Sequence, residues 1–261
     1  MSIPNPVIQI SSLHQEFVSK RGSERISALK AINLDVFEGE FVCLLGPSGC
    51  GKSTLLNIVA GFLEPTSGTL IANGKSISDP GPDRAMVFQE YALFPWMTVY
   101  QNVAFGLEMA GKSRSEIREI VNLWLEKLRL QDFRDRFPKD LSGGMQQRVA
   151  IARVLAIDSP MWLMDEPFGA LDALTRRQLQ NEVLRLWQEL GKTILFVTHG
   201  IDESVYLATR VVVMTYRPGQ IKKIIPINLP RPRDPNSAEF NAFERQLGTL
   251  VAEEQQRRQG G

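Results

Sequence analysis

From Gly46 to Ser53 the chain reads Gly-Pro-Ser-Gly-Cys-Gly-Lys-Ser, a run that reads as a phosphate loop, the alternative being a glycine-rich turn with a chance lysine. The pattern G-x-x-x-x-G-K-[ST] wraps phosphates, and it works where a buried strand turns into a helix. The flanks supply both elements. Phe41-Val-Cys-Leu-Leu45 is short and apolar, bounded by Glu38-Gly-Glu40 and Gly46-Pro47, so it reads as a buried strand. Leu55-Leu-Asn-Ile-Val-Ala60 reads as the following helix. Gly46, Gly49 and Gly51, together with Pro47, Ser48 and Cys50, form a loop whose backbone N–H groups converge on phosphate oxygens without Cβ clashes. The helix start adds partial positive charge. Lys52 supplies a full charge for the β- and γ-phosphates, Ser53 a hydroxyl for Mg²⁺, and Thr54 a further donor.

A second anion-seeking helix start lies about ninety residues on, at Leu141-Ser-Gly-Gly-Met-Gln-Gln147. Ser142 reads as its N-cap. Two such starts point to a nucleotide held from two sides. Met161-Trp-Leu-Met164 is another buried-strand run, ended by Asp165-Glu166-Pro167. Ligands of open α/β sheets bind at the carboxyl ends of strands. Asp165 is placed to hold a Mg²⁺ shell, and Glu166 to orient and deprotonate a water. The alternative is a solvated acidic turn before a proline. His199 follows the apolar run Thr193–Val197, where a histidine either bonds the γ-phosphate or is structural. His14, in a polar stretch, carries no assigned role.

Apolar runs alternate with helical stretches, which argues for an α/β core with a largely parallel sheet. The expected strands are Val7–Ile10, Phe41–Leu45, Thr69–Ala72, Ala85–Phe88, Met161–Met164, Thr193–Val197 and Arg210–Met214. Between Phe88 and Pro160 the pattern is helical only: Ser113-Arg-Ser-Glu116 has capping-box spacing, and Gly143–Ile157 forms a helix stopped before Pro160. Leu179, Val183, Leu186, Trp187 and Leu190 make a further stripe closed by Gly191. After the Arg217-Pro-Gly219 turn, Ile221–Ile227 completes a hairpin; Leu229-Pro-Arg-Pro-Arg-Asp-Pro235 and a helical stretch to Arg258 follow, with Gln255–Gln259 frayed. The 47 residues after Met214 are too few for a separate domain of roughly a hundred residues.

At 261 residues and 43% apolar composition the chain has enough material for a full core. A net charge of +1 argues against broad electrostatic binding to nucleic acid. The two cysteines, Cys43 and Cys50, fit a reducing cytosol better than a disulfide scaffold. No run reaches the ~18–20 apolar residues that cross a bilayer. If this chain powers transport, another chain provides the pore.

With these motifs in order, the chain resembles ATP-binding cassette (ABC) ATPases from about Val7 to Met214. The resemblance rests on the phosphate loop Gly46–Ser53, on Val87-Phe-Gln89, on Leu141–Gln147, on Met161–Glu166, on Ala170-Leu-Asp172 and on His199. It implies a P-loop NTPase core with a mostly parallel sheet, an antiparallel β subdomain and an inserted α-helical subdomain at about 90–160. It implies a nucleotide-binding domain over 1–230 and, over 231–261, a proline-rich linker and helical tail. It also implies ATP and Mg²⁺ as ligands, and two cassettes paired head to tail. Ser142, Gly143, Gly144 and Gln146 then meet the partner's nucleotide, Gln89 senses Mg²⁺ and the attacking water, Glu166 is the general base, and Asp172 crosses to the other subunit. Phe17 is placed by position to stack on adenine, a contact of ~1 kcal/mol, unless it is an ordinary half-buried strand residue. Three departures stand out. Met145 replaces a common glutamine, Gly200 follows His199 where aspartate is common, and Cys50 lies inside the loop as a potential target of thiol reagents.

The segment from Gln89 to Gly106 crowds Tyr91, Phe94, Trp96 and Tyr100 around Pro95. In importers the corresponding region receives a short helix of the membrane subunit, and aromatic anchors suit such a groove; core packing is the alternative for any one of them. Asp79-Pro-Gly-Pro-Asp-Arg84, Phe94-Pro-Trp96 and Leu229–Arg233 are most similar to ATPases for nitrate, sulfonate, taurine and bicarbonate import. The sulfonate/taurine type is nearest. The resemblance places such a chain on the cytoplasmic face of the cell membrane, with a permease and, indirectly, a solute-binding protein. The rival from another class is a soluble cassette acting on nucleic acid or ribosomes, whose usual basic arms or zinc insertions are not visible. A P-loop GTPase is disfavoured because no N-K-x-D run is present.

Overall fold

The computed structural model describes residues 5–18 and 25–259. The outermost residues of the spans expected as cassette (1–230) and tail (231–261) lie outside the described residues. The chain forms two compact units, Met1–Gly81 with Gly191–Gly261, and Pro82–Leu190.

The first unit holds an antiparallel sheet in the order β2-β1-β4-β5, from β1 (Ile8–Val18), β2 (Arg25–Val36), β4 (Ser67–Ala72) and β5 (Lys75–Ser76). β3 (Phe41–Leu45), β8 (Thr193–Thr198), β9 (Arg210–Met214) and β10 (Ile221–Pro226) run in the order β10-β9-β3-β8. β3 pairs in parallel with both β8 and β9, and β10 returns antiparallel to β9. All five residues of β3 and all six of β8 are buried, as a continuous apolar run predicts for a strand covered on both faces. Three helices belong here: α1 (Lys52–Ala60), α6 (Ile201–Leu207) and α7 (Ala238–Gln259). The carboxyl end of α7 continues as helix through Gln255–Gln259, where fraying is expected from composition.

β1 runs well past the expected Val7–Ile10, and β2 is a strand that periodicity does not predict, for a local reason. Ser12 and Ala31 adopt left-handed backbone conformations, with φ of 46° and 50°. Pairing runs Ile10↔Leu34, then Leu13↔Ile32, then Gln15↔Leu29, then Glu16↔Ser27, so the register shifts three times. Each shift inserts a bulge that turns the next residue back to the same face. Leu29 and Ile32, three apart, are therefore both fully buried, and strict alternation misses the strand.

The second unit holds the parallel pair β6 (Arg84–Val87) and β7 (Met161–Asp165), with α2 (Val99–Met109), α3 (Arg114–Lys127), α4 (Gly143–Ile157) and α5 (Ala173–Leu190). α3 starts at the capping box expected from sequence, with Ser113 N–H donating to Glu116 Oε2 at 2.9 Å. α2 has an equivalent box: Thr98 N–H donates to Gln101 Oε1 at 2.8 Å, and Gln101 N–H to Thr98 Oγ1 at 3.3 Å. The spacing Thr-x-x-Gln was legible but masked by the aromatic run before it.

Candidate functional site

The phosphate loop leaves β3 at Leu45 and enters α1 at Lys52. Its shape depends on residues far away in sequence. Gly51 sits at φ +102°, and a Cβ there would meet Leu29 Cδ2 at 2.6 Å. Gly219 is packed so closely that a Cβ would lie 2.1 Å from Cys50 O. Gly219 N–H donates to Ala28 O, and Lys30 N–H to Gly219 O, both at 2.9 Å, so β2 and the β9–β10 turn brace the loop together. Lys52 is 5% exposed, and its Nζ donates to Gly46 O at 2.8 Å and Pro47 O at 3.2 Å. Arg217 Nε donates to Gly49 O at 3.1 Å. Three loop carbonyls, which would repel phosphate, are thus engaged by cationic donors. Ser48, Gly49 and Ser53 are exposed, Thr54 is half-buried, and Pro47 is buried.

Cys50 is 1% exposed, and burial pushes its thiol up, against the opposing pull of Lys52. Cys43 is fully buried and driven further up for the same reason. A raised pKa keeps the thiol protonated at neutral pH, and the thiolate is the reactive form. The sensitivity to thiol reagents that the loop position invites is therefore not expected in the native protein. Iodoacetamide at pH 7.5 should label neither cysteine on the timescale that labels both in guanidinium, as read by mass spectrometry.

His199 is exposed at the end of β8 and shares a cavity of about 520 Å³ with Gly46, Pro47 and Ser48 of the loop. Val251, Gln255 and Arg258 of α7 complete its lining. Gly200 lacks a capping side chain; Thr198 Oγ1 accepts from Gly200 N–H at 2.9 Å and donates to Glu203 Oε2. The helix behind His199, α6, is closed at its other end by two arginines. Arg233 Nη1 reaches Val205 O and Ala208 O at 2.6 and 2.7 Å, and Arg231 Nη1 reaches Tyr206 O at 3.1 Å. The last carbonyls of a helix have no intrahelical donor, and cations there also oppose the dipole. Phe17, near the end of β1, is 41% exposed and paired with Ile26, which leaves ring surface available.

In the second unit, Asp165 ends β7 and Glu166 follows in a left-handed conformation, φ 42°. A non-glycine residue there is strained, and such strain gathers at functional sites. Gln89 is exposed in the turn after β6. Tyr91 and Ala92 also have positive φ, 60° and 47°. The aromatic segment beyond them is held from inside. Asn102, fully buried, accepts from Phe94 N–H at 2.9 Å and donates to Met97 O and Thr98 O at 3.0 Å. Arg153 donates to Ala92 O at 2.6 Å and lies over the Phe94 ring. Phe94 packs on Phe105 with ring centres 4.7 Å apart, while Trp96 is left 70% exposed. Asn102 and Arg153 were missed because nothing in their local sequence marks them.

Ser142 caps α4 as expected, its Oγ accepting from Met145 N–H at 3.4 Å. Met145 contributes a backbone amide, so the side-chain departure there costs this contact nothing. Ser142 and Gly143 are exposed and Gly144 is half-buried. The Gln146 amide turns back instead, donating to Pro138 O at 3.0 Å and Leu141 O at 3.3 Å. Asp172 caps α5: its Oδ1 accepts from Thr175 N–H at 3.0 Å and Leu174 N–H at 3.1 Å, bonds that hold its carboxyl below the usual range.

A glycine loop between a buried parallel strand and a lysine-led helix, in a chain whose β7 ends in paired carboxylates, defines a P-loop nucleotide-binding protein of the α/β class. Residues 29–169 match the ABC transporter family. A nitrate import ATP-binding protein of Synechocystis sp. is 50% identical over 223 residues, 85% of this chain and 83% of that protein. A taurine import ATP-binding protein of Roseobacter denitrificans is 52% identical over 216 residues, 83% of this chain and 80% of that one. An ATP-binding cassette solved as a dimer, in a post-hydrolysis state bound to ADP and Pi, aligns with a TM-score of 0.76 at 33% identity, over 85% of this chain and 100% of that chain. The chain belongs to the ABC transporter family, as one of its ATP-binding ATPases.

Proposed function

We infer that this chain is the ATP-hydrolysing subunit of an importer for a small anion such as nitrate, taurine, another sulfonate or bicarbonate. The observation that carries the reading is the braced phosphate loop with Lys52 buried against it, in a chain about half identical to nitrate and taurine import ATPases. In this reading Gly46, Pro47, Ser48, Gly49, Cys50 and Gly51 cradle the phosphates through their backbone. Lys52 and Thr54 bond phosphate oxygens, and Phe17 stacks on adenine. Ser53, Gln89 and Asp165 offer the oxygen donors that Mg²⁺ prefers. Among the described residues no cluster of three or more His, Cys, Asp or Glu forms a metal cage, and Mg²⁺ needs none when phosphates and water complete its shell. When bound, Mg²⁺ neutralises phosphate charge. Glu166 takes a proton from the attacking water, Gln89 orients that water, and His199 bonds the γ-phosphate.

The second nucleotide contact comes from another cassette, as expected of a homodimer or a pair with a related ATPase. Ser142, Gly143 and Gly144 face the nucleotide of the opposite subunit, Gln146 steadies their turn through its bonds to Pro138 O and Leu141 O, and Asp172 lies at that boundary. Ser142→Arg removes the cap and puts a bulky side chain on an exposed face. It is expected to leave ATP binding by the monomer within about twofold while abolishing ATP-driven dimerisation on size exclusion. Dimerisation at wild-type levels removes the two-sided clamp.

Among the described residues no helix is long and apolar enough to cross a membrane, so the proposed assembly uses a permease, contacted through about Gln89–Gly106 at the cytoplasmic face of the membrane. Trp96, exposed beside the braced Phe94, is the anchor. Recovery of a multi-span permease, with or without a solute-binding protein, from gently solubilised source membranes tests the importer reading. Trp96→Ser should lower that recovery at least about fivefold and leave ATPase activity of the free chain unchanged. Recovery of soluble or nucleic-acid partners alone favours the non-transport reading.

A further inference from the structure

The carboxyl end of α7 forms one wall of the cavity that the phosphate loop and His199 share. At about 520 Å³ the cavity lies within the ~300–1,000 Å³ range of small-ligand sites. Its lining residues Val251, Gln255 and Arg258 recur at i, i+4 and i+7, one face of the helix. No carboxylate is among the described lining residues, and Arg258, an exposed arginine of α7, is one of them. That composition suits an anion.

The helix is held firmly enough to position such a group. Phe240, Leu247 and Val251 are buried along it. Glu254, one turn before Arg258, has a side chain 0% exposed that accepts from Tyr216 N–H at 3.0 Å and from Lys222 Nζ at 2.6 Å. Lys222 Nζ also donates to Leu250 O at 3.2 Å and to Glu253 Oε2 at 2.6 Å. The Glu254 bond lands on the turn that braces the phosphate loop, since Tyr216 precedes Arg217, which holds Gly49 O. Loop, turn and helix are one connected scaffold. An isolated apolar contact would hold the helix to the sheet; a buried carboxylate tied to this turn also sets the helix in register with the loop.

We propose that Arg258 is a phosphate-binding residue of the ATP site, set on the cavity wall by the Glu254–Lys222 anchor. The proposal rests on the nucleotide reading of the loop. A guanidinium bonds phosphate oxygens with a planar pair of donors. It makes and breaks no covalent bond here. Removing a group that binds ground state and transition state alike raises KM and leaves kcat.

The test compares Arg258→Gln with Arg245→Gln, the same charge change at an exposed position on α7 outside the cavity lining. Binding of a fluorescent ATP analogue and of the matching AMP analogue is titrated at dilutions where the chain is monomeric. Arg258→Gln is expected to bind the triphosphate about 5–10-fold more weakly, with the monophosphate within about twofold of wild type. KM for ATP rises by a similar factor, kcat stays within about twofold, and Arg258→Lys recovers part of the loss. Glu254→Gln should shift triphosphate affinity the same way. Wild-type affinity in Arg258→Gln overturns the proposal, as does an equal loss in Arg245→Gln or an equal loss for the monophosphate. Lys52→Ala, run alongside, separates the two readings. If it binds ATP like wild type, the loop reading fails and takes this proposal with it. If it loses ATP while Arg258→Gln does not, the Arg258 role alone falls.

Discussion

Glu166→Gln is expected to lower steady-state phosphate release by ~10²–10⁴, the usual contribution of a positioned general base, while ATP stays bound and the dimer accumulates. The structure makes this substitution a clean one. Glu166 leaves β7 in a left-handed conformation, φ 42°, and its carbonyl accepts from Gly169 N–H at 3.1 Å. The backbone that aims the side chain is therefore set by the turn into Pro167–Gly169. An amide of the same shape keeps that aim and loses the basic oxygen. In the proposed reading binding rests on the phosphate loop, more than a hundred residues earlier in sequence, and is expected to stay unchanged. Phosphate release by a coupled assay and dimer mass by light scattering, both with Mg²⁺ and ATP, read the two halves separately. Turnover within about threefold of wild type removes Glu166 from the role of base. Lost turnover without an ATP-dependent dimer leaves the base and removes the clamp.

The parts of the molecule legible in its sequence are those whose signal is local. Phe41–Leu45 is a strand at the expected bounds, and Gly143–Ile157 is a helix at the expected bounds. In each case a continuous pattern is bracketed by punctuating residues, and the cap at Ser142 lies in the same stretch. β2 was not legible, because bulges at Ser12 and Ala31 break the alternation that identifies strands. The phosphate loop was recognisable, but not what holds it: Leu29, Arg217 and Gly219 reach it from either end of the chain. The run Leu229–Pro235 reads locally as proline-rich connection. Nothing in it announces that Arg231 and Arg233 close the carbonyl end of α6, some 25 residues earlier, and so steady the helix that follows His199. Glu254 and Lys222 are likewise ordinary charged residues until the fold buries one against the other.

Lys52→Ala is expected to weaken ATP binding by ~10–100-fold and hydrolysis by ~10²-fold or more. Two losses combine. A charge-assisted hydrogen bond contributes ~1.5–3 kcal/mol, which accounts for the affinity term. A donor aimed at charge that develops on the transferred phosphoryl group contributes a further ~10² in rate. The structure adds a third consequence. In the loop Lys52 Nζ donates to Gly46 O and Pro47 O, and the side chain is 5% exposed. Alanine leaves those carbonyls without their cation, so the loop loses its brace as well as its ligand for phosphate. Lys52→Arg separates the effects. Arginine restores the charge, but its bulkier fork has to fit where Lys52 Nζ lies between Gly46 O, Pro47 O and Cys50 Sγ, so it should recover little activity. Isothermal titration with a non-hydrolysable ATP analogue, with thermal melting of the nucleotide-free proteins, tells the two losses apart. A lower melting temperature for Lys52→Ala without ligand reports the brace; loss of the ligand-induced rise in melting temperature reports the phosphate contact. ATP affinity unchanged in Lys52→Ala would remove the phosphate loop from the site and with it the reading of the chain as an ATPase that uses this lysine.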